Sequence, residues 1–247
     1  MILQLVAIDK FADYVIRQYE PYSDMVETIL IESGVDVSIV NSRKNTPIID
    51  PYSSVFDDLL VRLFQYDAII IHGFHWPWVE KLINAKSVTV KVAWVFWGGE
   101  IYGRPDIHSQ FLTPTSQLFT TLHNLKKHAS KNKNYFVSKH VFKEINYCLT
   151  DEMEEYEFAR DYTKANFKHL EYNYYTLEEL LGDLYDCKCN GDNVFLGNAA
   201  SIECNYWGSL LRLRFSNINK KKIITPLSYG LPWVRNSVVK MGKFLFQ

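Results

Sequence analysis

The sequence predicts an α/β protein made of two Rossmann-like units, the second of them incomplete. Three observations lead to this fold class. Apolar runs of strand length alternate with stretches in which apolar residues recur at helical spacing. The alternation stops in a polar, tyrosine-rich stretch and starts again near Asn193. Glycine and polar residues follow several of the apolar runs, as they do at the carboxyl ends of parallel strands.

The first unit opens with the apolar run from Ile2 to Ile8, which is typical of a buried strand. Apolar residues between Met25 and Leu30 recur at helical spacing and predict a helix. Gly34 is well suited to end that helix. Residues Val35 to Val40 alternate between apolar and polar and predict the next strand.

The same alternation continues through four further segments. Apolar residues from Val55 to Phe64 fit a helix, and Asp67 to Gly73 reads as a strand with a glycine exit. Trp76 to Ile83 predicts a short helix with Pro77 in its first turn. Lys91 to Trp97 is the next strand, so the succession β-α-β-α-β-α-β predicts a parallel sheet wrapped by helices.

Residues Thr115 to Lys143 form a lysine-rich region with leucines at helical spacing. An apolar stripe beside lysines suits a helix that lies on an anionic membrane. A solvated helical hairpin on the protein surface explains the pattern equally well. The lysines assigned to a membrane surface are Lys126, Lys127, Lys131 and Lys133.

The rest of the chain supplies the domain boundaries. A short strand at Asn146 to Thr150 precedes a helix that has Thr150 as its expected N-cap. Residues 171–192 read as a linker, which leaves residues 1–170 as the N-terminal unit and 193–247 as the partial C-terminal unit. The second unit is predicted to contain a strand after Asn193, a helix at 204–215, a strand at 222–227 and a helix at 232–245.

Composition limits the function classes. The chain of 247 residues has 27 Lys+Arg and 28 Asp+Glu, which argues against a dedicated nucleic-acid binder. Its first apolar run is too short for a signal sequence, and no stretch approaches the ~20 apolar residues of a spanning helix. A cytosolic location, or attachment to a membrane without crossing it, is therefore expected.

Four loops are expected to meet at one edge of the sheet. They begin at His72-Gly73, at Trp97, at Thr150-Asp151 and at Gly197. Together they predict a crevice whose glycine-rich loop meets a helix N-terminus, an arrangement that suits a pyrophosphate or a nucleotide. Three of these loops also have a purely structural explanation: His72 as a satisfied buried histidine, Glu100 as the ion-pair partner of Arg104, and Asp151 as a helix-start residue.

Several motifs resemble one known family. They are IIIHGF at 69–74, FWGGEIY at 96–102, YCLTDEMEEY at 147–156, FLGNAASIECNY at 195–206 and TPLSYG at 225–230. Their order and spacing, over nearly the whole chain, are similar to those of glycosyltransferase family 56. That family transfers 4-acetamidofucose from a dTDP-sugar to a lipid-linked disaccharide in the synthesis of enterobacterial common antigen, a surface polysaccharide.

The resemblance implies a GT-B architecture, with an acceptor-side and a donor-side domain and the active site in the cleft between them. It also implies a hexosyltransferase-type enzyme that is peripheral on the cytoplasmic face of the bacterial plasma membrane. The chain departs from the family pattern at Glu100-Ile101, at Ala199 and at Asn205-Tyr206. It stops at Gln247, where the family continues, so C-terminal truncation with little or no turnover is expected.

The resemblance and the loops together give candidate roles. Glu100 is the first candidate for the base that deprotonates the acceptor hydroxyl, with His72 and Asp151 as alternatives. No D-x-D motif lies on a suitable loop, so no metal and no other cofactor is expected. A non-catalytic remnant that binds a sugar nucleotide or lipid headgroup, and an unrelated nucleotide-using α/β enzyme, are the alternatives. The expected substrate-binding residues are Gly73, Trp97, Gly98, Tyr102, Thr150, Gly197, Asn198, Ser201 and Asn205.

Overall fold

The chain forms two compact units in a computed structural model. The first comprises Met1–Arg104 with Asn134–Tyr185, and the second comprises Pro105–Lys133 with Asp186–Gln247. The structure describes residues 1–9, 11–33, 40–42, 46–74, 77–126, 136–187, 191, 193–217 and 221–246.

A seven-stranded parallel sheet forms the centre of the first unit. Its strands are β1 (Ile2–Ala7), β2 (Val26–Ile31), β3 (Ile48–Ile49), β4 (Ala68–His72), β5 (Lys91–Val95), β6 (Tyr147–Thr150) and β7 (Lys168–Glu171). Their order in the sheet is β3-β2-β1-β4-β5-β6-β7, and every neighbouring pair is parallel. This confirms the predicted α/β class with a parallel sheet.

Nine α-helices are present in the described part of the chain, six of them in the first unit. The first unit contains α1 (Ala12–Tyr19), α2 (Ser54–Arg62), α3 (Pro77–Ala85), α4 (Gly99–Tyr102), α6 (Met153–Thr163) and α7 (Leu177–Leu181). The second unit contains α5 (Pro114–Lys126), α8 (Tyr206–Arg214) and α9 (Pro232–Phe246).

The interior strand β1 sets the topology of the first unit. Leu3, Leu5 and Val6 are fully buried, so β1 is covered on both faces, as parallel sheets require. It pairs with β2 on one side and β4 on the other, so the strand order reverses at β1. Ligands of open parallel sheets bind at the carboxyl ends of the strands, near such a reversal.

The second unit is smaller, and several of its aromatic rings stack in and beside its hydrophobic core. It has a two-stranded parallel sheet of β8 (Val194–Phe195) and β9 (Ile223–Ile224). Trp207 stacks on Phe119 with ring centroids 5.1 Å apart, and on Trp233 at 5.8 Å. His123 stacks on Trp233, with ring centroids 4.0 Å apart. These stacked rings join α5, α8 and α9.

The predicted helix between Met25 and Leu30 is wrong. Its residues form β2, which pairs with β1 in a register that places Val26 opposite Ile2. Apolar residues in a short segment fit either period, and pairing with a buried strand decides the outcome. Gly34 and the residues 35–39 of the next predicted strand lie outside the described residues.

Two other predictions need adjustment, and a third falls largely outside the described residues. Thr150 is the last residue of β6 rather than an N-cap, since Glu152 occupies the N-cap position of α6. The predicted strand 222–227 is shortened to β9. Lys126 is the last residue of α5, whereas Lys127, Lys131 and Lys133 lie outside the residues that the structure describes.

The compact units also divide the chain differently from the predicted boundaries. Residues 105–133 belong to the second unit, although the sequence assigned them to the first. Residues 171–185 belong to the first unit rather than to a linker. The physical reason for the second difference is that Tyr172 and Tyr174 are half-buried among side chains of the sheet edge.

Gly73 offers a test of the packing at that edge. Its φ is +76°, and a Cβ would lie 2.7 Å from the Trp97 ring. We expect Gly73→Ala to lower the free energy of unfolding by about 1–3 kcal/mol, since both the backbone and the ring must adjust. Gly99→Ala is the matched control because a Cβ there meets nothing within 4 Å. Chemical denaturation measures both variants, and equal stability of the two would contradict the packing argument.

Candidate functional site

An aromatic cavity lies at the carboxyl ends of β5, β6 and β7 in the first unit. It has a volume of about 250 Å³. A larger hollow of about 730 Å³ lies beside α1 and the start of β2, away from the predicted loops. The smaller cavity is the better candidate, since it sits where the loops of a parallel sheet meet. Its aromatic lining is Phe11, Phe96, Trp97, Tyr172, Tyr174 and Tyr175, and its polar lining is Thr150, Asp151 and Asn173.

The aromatic rings pack closely on one another beside this cavity. Phe11 stacks on Tyr174 with centroids 4.7 Å apart and is tilted against Trp97 at 5.9 Å. Tyr172 meets Tyr174 edge to face at 5.1 Å. Rings held in this way lose little conformational entropy when a ligand binds, because they are already ordered.

A series of hydrogen bonds, one of them fully buried, leads to the Tyr174 hydroxyl. The Thr28 hydroxyl donates to Gln4 Oε1 over 3.0 Å, and Gln4 Nε2 lies 2.8 Å from His72 Nε2. His72 Nδ1 lies 3.1 Å from the Tyr174 hydroxyl, to which the Trp97 indole nitrogen also donates. Burial lowers the pKa of His72 to about 3, so its imidazole is neutral at neutral pH.

Glu100 organises the turn after β5. It is fully buried, and its Oε1 accepts hydrogen bonds of 3.1 Å from the Phe74 and Trp97 amides and from the Trp94 indole. Its Oε2 has no hydrogen-bond partner among the described residues. Burial raises the pKa of the Glu100 carboxyl, because a desolvated charge is costly. The predicted ion pair with Arg104 is not formed; Arg104 Nε donates to the main-chain carbonyl of Glu100 over 2.7 Å.

These contacts bear on the choice among the three candidate bases. Glu100 and His72 are both fully buried, so neither meets an acceptor hydroxyl in this structure. Their hydrogen bonds position Trp97 and Tyr174 instead. Asp151 is exposed and lines the cavity directly after β6. Of the three predicted bases, it is the one that reaches solvent.

The other predicted residues of the first unit differ in their positions. Trp97 and Thr150 line the cavity, and the Thr150 hydroxyl donates to the Glu152 carbonyl over 2.8 Å. Gly98 is buried at the N-cap of α4, where its φ is +85°. Tyr102 stacks on Phe158 with centroids 5.3 Å apart and is not among the lining residues that the structure describes.

The predicted residues of the second unit hold its own loops. Asn205 accepts from the Thr113 amide over 2.7 Å and donates to the Phe111 carbonyl over 2.8 Å, so its side chain is occupied structurally. Ser201 donates to Glu203 over 2.7 Å. Gly197 is required because a Cβ there would lie 2.5 Å from the Tyr206 hydroxyl. Asn198 is exposed after β8.

Tyr172 and Tyr174 were missed by the sequence reasoning. They follow β7, which fell at the end of the predicted first unit and before the predicted linker. The available signal was the cluster of tyrosines at 172, 174 and 175 directly after a short segment of strand length. A strand followed by aromatic residues would have placed them with the other loops of the sheet edge.

Neutralising Glu100 tests its buried state. Burial raises its pKa above the ordinary value of 4.5, so the ionised form is disfavoured in the folded chain. The stability cost of ionisation is absent below about pH 4.5 and grows as the pH rises towards the folded pKa. We therefore expect Glu100→Gln to unfold at a higher denaturant concentration than wild type at pH 8, with the advantage shrinking towards pH 4.

Glu154→Gln is the control for this measurement, because Glu154 is exposed at the start of α6. The comparison requires urea denaturation at several pH values for all three chains. A Glu100→Gln variant that loses stability most at high pH would show that the ionised carboxylate is the favoured form.

Two further features of the described residues bear on the site. The described residues contain no group of three or more His, Cys, Asp or Glu side chains placed to hold a metal ion. None of the described helices combines the length and apolar character needed to cross a bilayer.

No protein-family model, curated protein sequence or solved structure matches this chain. The similarity to glycosyltransferase family 56 therefore remains an expectation drawn from the motifs.

Proposed function

We propose that this chain is a glycosyltransferase that moves a deoxy-acetamido sugar from a dTDP-sugar to a lipid-pyrophosphate-linked saccharide. The observation that carries the proposal is the aromatic cavity, with an exposed carboxylate at its edge. Ordered aromatic faces bury the apolar face of a sugar ring, and the hydroxyl and amide groups beside them bind its oxygens.

Asp151 is the proposed base. It follows β6, next to the aromatic rings, and is exposed to solvent. An ionised carboxylate at that position accepts the proton of the acceptor hydroxyl as the new glycosidic bond forms. The carbon–oxygen bond to the nucleotide pyrophosphate breaks in the same reaction, and the diphosphate departs with the electron pair.

The second unit is the proposed donor side. It has 13 Lys+Arg and 4 Asp+Glu, a net charge of +9, whereas the first unit has 14 and 24, a net charge of −10. A basic unit attracts a nucleotide diphosphate and stabilises it as it departs. The exposed Asn198 and the Gly197 turn lie within this basic unit.

The same charge supports attachment to an anionic membrane surface. Lys126, Lys127, Lys131 and Lys133 account for four of the cations in the second unit. Anionic lipids attract basic segments by about 1 kcal/mol per Lys or Arg near the surface. We infer a peripheral location at a cytoplasmic membrane, where a lipid-linked acceptor is found.

Substitution of Asp151 tests the catalytic proposal. The chain is expected from its resemblance to turn over slowly, so the comparison is made with the wild-type rate, however low. We expect Asp151→Asn to lower that rate by about 10²–10⁴-fold while the protein still binds the acceptor, because only proton removal is lost. The measurement is transfer of label from a dTDP-sugar to a lipid-linked acceptor. Glu152→Gln is the matched control, since this exposed carboxylate is the next residue in the chain.

Full activity of Asp151→Asn would remove that residue from the chemistry. Acceptor binding by the wild-type chain without any transfer would instead favour the alternative, a non-catalytic protein that binds a saccharide or a sugar nucleotide.

Charge reversal tests the membrane proposal. We expect replacement of Lys126, Lys127, Lys131 and Lys133 by Glu to weaken sedimentation with phosphatidylserine vesicles, and high salt to weaken wild-type binding in the same way. The control reverses four exposed lysines of the first unit, giving an equal change in net charge: Lys139, Lys143, Lys164 and Lys168. Equal losses of vesicle binding in the two variants would show that binding depends on the net charge of the protein and not on the position of these four lysines.

A further inference from the structure

The series of hydrogen bonds from Thr28 through Gln4 and His72 ends at the Tyr174 hydroxyl. The Tyr174 oxygen is contacted by the Trp97 indole nitrogen and by His72 Nδ1 at 3.1 Å. An indole nitrogen is always a donor, so the tyrosine oxygen accepts at least one hydrogen bond. Whether its own hydrogen is available depends on which nitrogen of His72 carries the proton.

The contacts of Thr28 and Gln4 determine which nitrogen of His72 is protonated. The Thr28 hydroxyl donates to Gln4 Oε1, which turns the amide nitrogen of Gln4 towards His72 Nε2 at 2.8 Å. An amide nitrogen only donates, so His72 Nε2 accepts. The ring is fully buried and neutral, and a neutral imidazole that accepts at Nε2 has its proton on Nδ1.

The Tyr174 oxygen therefore accepts two hydrogen bonds, from His72 and from Trp97. Its own hydrogen has no acceptor among the described residues, and the residue lines the aromatic cavity. We propose that Tyr174 is the directed hydrogen-bond donor of this cavity, with Thr28, Gln4 and His72 as positioning residues that keep its proton available to a ligand oxygen.

This inference rests on the proposed function, because the ligand oxygen is taken to belong to a saccharide. It adds a selectivity that the aromatic rings alone do not supply. A hydroxyl, ring or carbonyl oxygen satisfies the donor, whereas an ammonium or another pure donor leaves it unpaired. A ligand that leaves a buried donor unpaired binds more weakly by the cost of desolvating that donor.

Tyr172 provides an internal comparison. It lines the same cavity and meets Tyr174 edge to face. Its hydroxyl donates to Gln18 Oε1 over 2.8 Å, so its hydrogen is already used. Two neighbouring tyrosines thus have opposite hydrogen-bond states, and removing the two hydroxyls should have different effects on a ligand.

The first measurement compares Tyr174→Phe with Tyr172→Phe. The probe is the methyl glycoside of N-acetylglucosamine, titrated against the intact chain with tryptophan fluorescence as the signal. We expect Tyr174→Phe to weaken binding by about fivefold to tenfold, the equivalent of one hydrogen bond, and Tyr172→Phe to change it little. Equal losses in the two variants would overturn the inference.

The second measurement needs no ligand. Nitrogen-15 spectra of the histidine rings, with His72 assigned from His72→Gln, report which ring nitrogen is protonated. We expect the Nδ1–H form in wild type, and a mixture of both forms in Thr28→Val, where the Gln4 amide loses the hydroxyl that orients it. An Nε2–H ring in wild type would overturn the inference, because Tyr174 would then donate to His72.

Thr28→Val also keeps the test open if Tyr174→Phe does not fold. Thr28 is not among the residues that line the aromatic cavity. Weaker probe binding by this variant would therefore require an effect transmitted through the hydrogen bonds of Gln4 and His72. If the wild-type chain does not bind the saccharide at all, the proposed function fails. The tautomer of His72 then decides the state of the Tyr174 hydroxyl on its own.

Discussion

Three hydrogen bonds that converge on one buried oxygen fix the geometry of the candidate site. Oε1 of Glu100 accepts from the amide after β4, from the indole of β5 and from the amide after β5. Two neighbouring strand exits are thereby tied to one side chain, and Trp97 is held at the edge of the cavity. Leaving any of these three donors unpaired in so dry a location would be costly, which favours the observed conformation of the turn.

The polar side chains of the candidate site differ in their access to solvent. Glu100 and His72 are buried and satisfy fixed partners, so their chemistry serves the position of the aromatic rings. Asp151 is exposed and stands beside those rings. A carboxylate that must exchange protons with a substrate needs access to it, whereas one that organises a turn needs to be shielded from water.

The sequence predicted the features that depend on local pattern. The alternation of strands and helices, and the placement of polar loops after β4, β5 and β6, follow from periodicity and glycine positions. It failed at β2, where six residues have no unambiguous period and pairing with β1 decides the structure. It also failed at Tyr174, whose role arises from contacts with His72 and Trp97 that are distant in the chain.

The separation of charge between the units has a consequence for handling the protein. The chain as a whole has a net charge of −1 and an isoelectric point near 6.7, values that describe neither unit. One unit is acidic and the other is basic, so the protein has surfaces of opposite charge. We therefore expect both anion and cation exchangers to retain it at neutral pH. The whole chain is close to neutral only because two large opposite charges cancel, so whole-chain averages conceal the basic composition of the second unit.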